Sequence, residues 1–225
     1  MNAYNFLKRR GVTRLCHFTK IQSLTHIISS INGILSSEAI RQDLKNVTDK
    51  ARYDGELDYV CCSIQYPNSW FLNRAIERNI DSIFDEWVVL YINLEVLKYR
   101  NAKFCPCNAS KSRGKYISDD MNNIELIFKD QVFQFSRTPN MLSCCPTDGQ
   151  AEILIKDNIP YNCITGIVVG DVKNARQVYA MFLTLNIKQI PIYIAPDVLT
   201  TKWSEMVKRG LTPKEELFVL QEEEL

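Results

Sequence analysis

Apolar residues along this chain come in short runs separated by polar stretches, and the runs alternate between two periods. Residues 15–18 form a brief extended run. Ile21, Leu24, Ile27, Ile28 and Ile31 then recur at helical spacing, and Asn32-Gly33 supplies a left-handed stop. Ile34-Leu35 resumes extended structure before Ser36-Ser37-Glu38, which predicts a helix start. Residues 41–56 are polar without a periodic face and read as a loop. A strand is predicted over 58–64, and Pro67-Asn68 opens a helix to about residue 79. Residues 87–94, nearly all β-branched or apolar, predict a central strand. Residues 124–128 and 132–135 are expected as strands or a hairpin. The stretch 136–149, with Pro139, Asn140, Pro146, Asp148 and Gly149, reads as a long loop. Three more strands are expected at 151–155, 164–169 and 190–195, with helices at 175–185 and 202–208. Strands with helices placed between some of them predict a mixed α/β or α+β fold. No repeat, low-complexity tract or linker divides residues 1–225, so one domain is the economical reading.

Composition changes this picture little: 46% hydrophobic and 24% charged residues suit a soluble globular chain of 225 residues. No apolar run approaches the roughly 20 residues needed to span a bilayer. The first residues carry their basic charges after the apolar ones and show no cleavage site, so a cytoplasmic protein is expected. Eight cysteines fit reduced, mostly buried thiols. Cys105-Pro106-Cys107 and Cys144-Cys145 lack the spacing of a zinc knuckle, and no metal is expected. No local signature supports a cysteine nucleophile paired with His17 or His26.

Net charge is only +1, but from Lys98 to Ser118 the chain carries Lys98, Arg100, Lys103, Lys111, Arg113 and Lys115 with no acid. That stripe is either a solvated basic loop or an arm that contacts phosphates. The acidic Glu222 to Glu224 read as a solubilising tail. The glycine-rich dinucleotide fingerprint is absent, since Val169-Gly170-Asp171 has no further glycines, and the phosphate-binding loop ending in Gly-Lys-Ser/Thr is absent too.

Three segments, in order, carry a resemblance. Leu15-Cys16-His17-Phe18-Thr19 is followed by a helical pattern and Asn32-Gly33-Ile34-Leu35. Leu57-Asp58-Tyr59-Val60-Cys61-Cys62-Ser63-Ile64 leads into Tyr66-Pro67-Asn68. Gln150-Ala151-Glu152-Ile153-Leu154-Ile155 precedes Ile159-Pro160. Together they resemble the DarT family, the ADP-ribosyltransferase toxins of DarTG toxin–antitoxin pairs, which modify bases in DNA. The resemblance implies an α+β fold with a split, mostly antiparallel β core that holds NAD in a cleft between two half-sheets. It also implies a single-stranded DNA substrate and a macrodomain antitoxin that removes ADP-ribose. Bulky aromatics of the family are replaced here by Cys61-Cys62-Ser63, which leans the expected acceptor toward guanine over thymine.

Roles follow by position. Cleaving the nicotinamide–ribose bond develops positive charge on the sugar, and a fixed carboxylate hydrogen-bonded to its 2′-hydroxyl stabilises that charge. The resemblance assigns this to Glu152. Gln150, two residues earlier, is expected on the same face, with an amide suited to reading a base edge. In related transferases the residue at this place helps select the acceptor. His17, Phe18 and Thr19 look like NAD-binding elements, with Asn32 and Gly33 close by. Taken alone, His17 is a core histidine and Asn32-Gly33 a helix stop. Arg52, with Arg41 as rival, is placed to clamp the pyrophosphate or orient the target. Tyr59 and Ser63 are expected as cleft walls and Tyr66 as a stacking partner of nicotinamide. Loop 136–149 is the expected recognition loop, with Arg137, Thr138, Asn140 and Ser143 as nucleic-acid contacts and Lys111 and Arg113 from the basic stripe. Two other readings stay open: an acceptor in RNA or protein, and a non-catalytic nucleic-acid-binding module.

Overall fold

The computed structural model describes residues 2–40, 52–77 and 86–220. Most of the loop expected at 41–56, the rival Arg41, the far end of the helix expected from Pro67 and the acidic tail lie outside these residues. The chain begins with α1 (Ala3–Arg9), capped by the Asn2 side chain, then β1 (Arg14–Lys20), α2 (Ile21–Ile28) and the short β2 (Ile34–Leu35). Next come β3 (Tyr59–Ile64), α3 (Ser69–Glu77), β4 (Trp87–Asn93), β5 (Ala102–Cys105) and α4 (Met121–Leu126). A hairpin of β6 (Gln131–Val132) and β7 (Phe135–Ser136) precedes β8 (Glu152–Lys156), β9 (Asn158–Ile159) and β10 (Ile164–Val169). The chain closes with α5 (Val172–Leu185), β11 (Ile192–Ile194), α6 (Lys202–Lys208) and β12 (Glu216–Leu217).

Eight strands form one sheet in the order β12-β11-β10-β4-β1-β3-β8-β5. Every neighbouring pair is antiparallel except β10 with β11. β4 lies inside this sheet, with both faces covered. Val88, Leu90 and Ile92 join the core under α2 and α5, while Val89 and Tyr91 join Tyr66, Trp203 and Val207 on the opposite side. Strand geometry explains the division, since successive side chains point to opposite faces. Burial on both faces is why 87–94 reads as a nearly continuous apolar run.

The sheet is split where the site forms. β1 pairs with β4 along its whole length, from Arg14↔Asn93 to Lys20↔Trp87. With β3 it pairs only at Leu15↔Ile64 and Cys16↔Ser63. Beyond Cys16 the two strands part, and β3 continues instead with β8 from Ser63↔Glu152 to Tyr59↔Lys156. A fork therefore opens between residues 17–20 of β1 and 59–62 of β3.

Several expectations are corrected. Residues 124–128, expected as a strand, belong to α4 and the turn after it. The Asp120 side chain caps that helix, and Ile124, Ile127 and Phe128 are buried at i, i+3, i+4 spacing. Ser36-Ser37-Glu38 forms a turn rather than a helix start. The basic stretch after Lys98 is not all loop, because β5 adds to the edge of β8. α2 ends at Ile28, leaving Ile31 87% exposed beyond it. α1, β9 and β12 had no clear sequence signal. No helix among the described residues is long and apolar enough to cross a membrane.

Gly33 ends the turn after α2 at φ +62, where a Cβ would lie 2.3 Å from the Ile159 carbonyl oxygen. Backbone, not a flexible side chain, blocks that space. Gly33→Ala is therefore expected to break the Ile34↔Ile159 pairing of β2 with β9. The cost is about 3 kcal/mol from the left-handed backbone and the clash together. Thermal unfolding should show a Tm lower by roughly 6–12 °C.

Candidate active site

The fork holds a cavity of about 390 Å³, within the usual range for ligand sites. Glu152 lines it as the first residue of β8, flanked in register by Ser63 of β3 and Cys105 of β5. A position between two paired strands leaves the carboxyl little solvent, and Glu152 is 7% exposed. Burial pushes its pKa from the ordinary 4.5 up to about 8, with the nearby Asp54 charge adding to the rise. The Ala109 N–H, the Cys61 thiol and the Asn68 amide pull the other way. Asn108 Nδ2 donates to Glu152 Oε1 at 2.9 Å. The Asn108 Oδ1 is occupied by the Ser110 N–H at 3.1 Å, which settles which end of that amide faces the carboxyl.

His17 spans the fork. Its Nδ1 lies 2.9 Å from the Cys61 carbonyl oxygen. A carbonyl only accepts, so Nδ1 carries the proton and Nε2 keeps its lone pair. Burial lowers the His17 pKa against the opposing effect of that hydrogen bond, and the Arg52 charge lowers it further. The imidazole is neutral at pH 7.

Arg52 lines the same cavity with its guanidinium fixed from several sides. Nε and Nη2 each donate to the Asp54 carboxylate at 3.0 Å, Nη1 donates to Ser37 Oγ at 2.5 Å, and Nη2 reaches the Glu56 and Tyr59 carbonyls. Asp54 is 7% exposed, so this ion pair is shielded from solvent. Two-point pairing of this kind fixes orientation as well as charge.

The cavity brings together His17, Phe18, Thr19, Gly33, Arg52, Tyr59, Ser63 and Glu152 from elements far apart in sequence. Other expected residues stand elsewhere. Tyr66 is 3% exposed and stacks on Trp203 at 5.2 Å between ring centroids, in the core on the opposite side of the sheet. The chain reverses through Gln65 at φ +65, so the residue after it faces away from the fork. Asn32 is exposed and outside the cavity, its carbonyl accepting from Asn158 Nδ2 at 2.7 Å. Gln150 does not line the cavity either. It sits in the turn before β8 with its N–H on Asp148 Oδ1, so strand alternation does not carry it to the face of Glu152. Asn140 is exposed in the loop after β7.

Lys111 lies just past Ser110 on the cavity wall, its ammonium 3.9 Å from the Phe133 ring centroid, and Arg113 is exposed. Arg137 donates to the carbonyls of Leu142 (2.7 Å) and Cys145 (2.8 Å) and to Thr147 Oγ1 (3.4 Å). Its guanidinium thus staples the loop instead of projecting toward a ligand. Arg137→Ala leaves those acceptors unpaired, which costs about 2 kcal/mol. A Tm fall of roughly 4–8 °C and faster proteolytic nicking between 138 and 147 are expected.

Three residues of the site had no functional reading in the sequence: Asp54, Asn68 and Asn108. Asn68 is legible only as a helix cap, Asp54 lies in an unpatterned polar stretch, and Asn108 follows Cys107 without a motif. All three reach Glu152 or Arg52 through tertiary packing.

Comparisons with known proteins bear on the family and the fold. A family model described as "ssDNA thymidine ADP-ribosyltransferase, DarT" matches residues 16–200. Among solved structures, the fold is similar to Thermus sp. 2.9 DarT in complex with NAD+, with a TM-score of 0.58 at 17% identity over 83% of this chain and 96% of that one. The same protein in complex with ADP-ribosylated ssDNA matches with a TM-score of 0.58 at 16% identity, over 84% and 96% of the two chains. Thermosipho africanus DarTG in complex with ADP-ribose gives 0.57 at 16% identity, covering 83% of this chain and 51% of that one. Comparison with the curated proteins gives no match. With the family model spanning most of its length and its fold shared, this chain belongs to the DarT family of ssDNA ADP-ribosyltransferases.

Proposed function

We propose that this chain, acting as one catalytic domain in the cytoplasm, cleaves NAD and transfers its ADP-ribose to a base of single-stranded DNA, guanine in preference to thymine. The adduct on a template base would block replication. The observation that carries the reading is the buried Glu152 carboxyl at the fork of the split sheet, in a cavity it shares with His17 and Arg52. One relative of the same fold, Thermus sp. 2.9 DarT, was solved both with NAD+ and with ADP-ribosylated ssDNA, which supports both substrates.

In this scheme NAD is a substrate, and the residues present suit it. The bond between nicotinamide and ribose breaks with its electron pair going to the nicotinamide nitrogen, which leaves neutral. Positive charge passes to the ribose. The Glu152 carboxylate, hydrogen-bonded to the 2′-hydroxyl, stabilises that charge in a water-poor site where such stabilisation is strongest. A base nitrogen then forms the new bond to the same ribose carbon and gives up one proton. His17 and Thr19 hold the dinucleotide, and Arg52 clamps its pyrophosphate or orients the target. A base inside a duplex is hard to reach, so a single strand is the expected substrate. Lys111 and Arg113, in the stretch that follows Ser110 of the cavity wall, supply phosphate contacts.

For the base, the family description names thymidine. Cys61, Cys62 and Ser63 line the cavity at the positions where the resemblance implies bulky aromatics in the family, and smaller walls favour the larger purine. The toxin reading brings with it a macrodomain antitoxin as partner, and Thermosipho africanus DarTG is a relative of that two-component kind.

The test incubates the protein with NAD and four single-stranded oligonucleotides, each lacking one base, and reads intact mass. A gain of one ADP-ribose on all but the guanine-free strand is expected. Loss of the adduct only on the thymine-free strand would move the base to thymine. NAD consumption without any DNA adduct would move the acceptor to RNA or protein.

A further inference from the structure

Asn68 stands at the N-cap of α3, and its side chain is committed on one end only. Its Oδ1 accepts the Phe71 N–H at 3.2 Å, its backbone N–H donates to Ser63 Oγ at 2.8 Å, and its carbonyl accepts from Leu72. The cap bond settles the amide orientation, since only the oxygen accepts. Nδ2 is therefore the end left over. It is buried without a hydrogen bond of ordinary geometry, near enough to the Glu152 carboxyl to help hold its pKa down, in a residue 2% exposed that lines the cavity. Ser63, which anchors the Asn68 backbone, is the direct cross-strand partner of Glu152. An unpaired buried donor is costly and rare. Here the packing forces it: turning the amide over would place NH₂ against the Phe71 N–H and lose the cap.

We propose that Asn68 is an NAD-binding residue, its Nδ2 donating to an oxygen acceptor at the nicotinamide-ribose end of the dinucleotide. The assignment rests on the NAD reading above and adds to it a contact that needs no charge. Nδ2 faces the same part of the cavity as Glu152, so an oxygen on the ribose or on the carboxamide completes its bonding where the carboxyl acts.

The test is NAD binding by titration calorimetry, without DNA, on the wild type and on Asn68→Ser, alongside thermal unfolding. Serine keeps a capping oxygen for α3 and removes the amide donor. The expected result is a Kd for NAD raised about tenfold, equivalent to ~1.4 kcal/mol for one neutral hydrogen bond, with Tm held within a few degrees. An unchanged Kd with an unchanged Tm overturns the proposal. So does a variant that only moves the pH dependence of turnover, because Nδ2 would then serve the Glu152 charge and not the ligand. If Asn68→Ser unfolds, Asn68→Asp retains the cap oxygen and replaces the donor. NAD affinity of Asn68→Asp equal to the wild type would likewise overturn the assignment. Wild-type protein that binds no NAD at all would remove the functional reading itself, an outcome separate from these.

Discussion

Glu152→Gln is expected to lower ADP-ribosyl transfer by a factor on the order of 10²–10³ or more, the usual loss when a preorganised electrostatic stabiliser is removed. The side chains have the same shape, and a glutamine oxygen still accepts from Asn108 Nδ2. The loss would thus report charge and not a collapsed site. Stability supplies the control. The Glu152 pKa is raised by burial from 4.5 to about 8. Below pH 4.5 folded and unfolded chains are both protonated there and nothing is lost. Between 4.5 and 8 the unfolded chain releases the proton first, so stability falls; above 8 the full penalty is in place. That penalty is on the order of 4 kcal/mol. Glutamine escapes it. The variant should melt on the order of 10 °C above the wild type at pH 9, with most of that advantage gone at pH 5. A variant that lost activity and also melted early at pH 9 would show that Glu152 holds the fold instead of acting in the reaction.

The pH dependence of turnover should be the second large effect. Only the ionised carboxyl stabilises the charge developing on the ribose, and in the free enzyme that form is complete only above a pKa of about 8. Log kcat/KM for NAD should rise with unit slope toward pH 8 and then flatten, a loss of about 100-fold at pH 6 relative to the plateau. His17 adds no falling limb near pH 8, because burial lowers its pKa from the ordinary value and its proton is lost before Glu152 ionises. Initial rates at saturating DNA, measured from pH 5.5 to 9.5, give the profile. A flat profile, or one that falls toward pH 8, would remove Glu152 as the titrating group. Binding of NAD can shift the group downward, since the cationic nicotinamide favours the carboxylate. The profile of kcat is therefore expected to turn at a lower pH than that of kcat/KM.

How much of this was legible before the fold was in hand depends on the range of the forces involved. Strands 87–94 and 164–169, the α2 pattern from Ile21 and the 175–185 helix all show in the sequence because burial imposes a period of 2 or 3.6 on neighbouring residues. Residues 124–128 are ambiguous in the sequence despite the Asp120 cap and the Ile124, Ile127, Phe128 spacing, because a short apolar run fits either period. Glu152, His17 and Arg52 could be placed in one site by resemblance to a family, and the fork between β1 and β3 is where they meet. β5 carries no such signal: its strand state comes from the open edge of β8 that it pairs with.

The local pattern of the chain therefore decided most of the long elements and a fold that mixes strands with helices, while resemblance to a family pointed to the residue able to stabilise a sugar cation. Tertiary structure decided which of them face one another. It turned Tyr66 away from the cavity through the reversal at Gln65, spent the Arg137 donors on its own loop, and set Asn108 and Asn68 beside the Glu152 carboxyl. The physical reason is that a pKa, a fixed guanidinium or an unpaired amide depends on neighbours brought within a few ångströms by chain closure. Asn108 and Glu152 are 44 residues apart, and no periodicity along the chain encodes a contact at that separation.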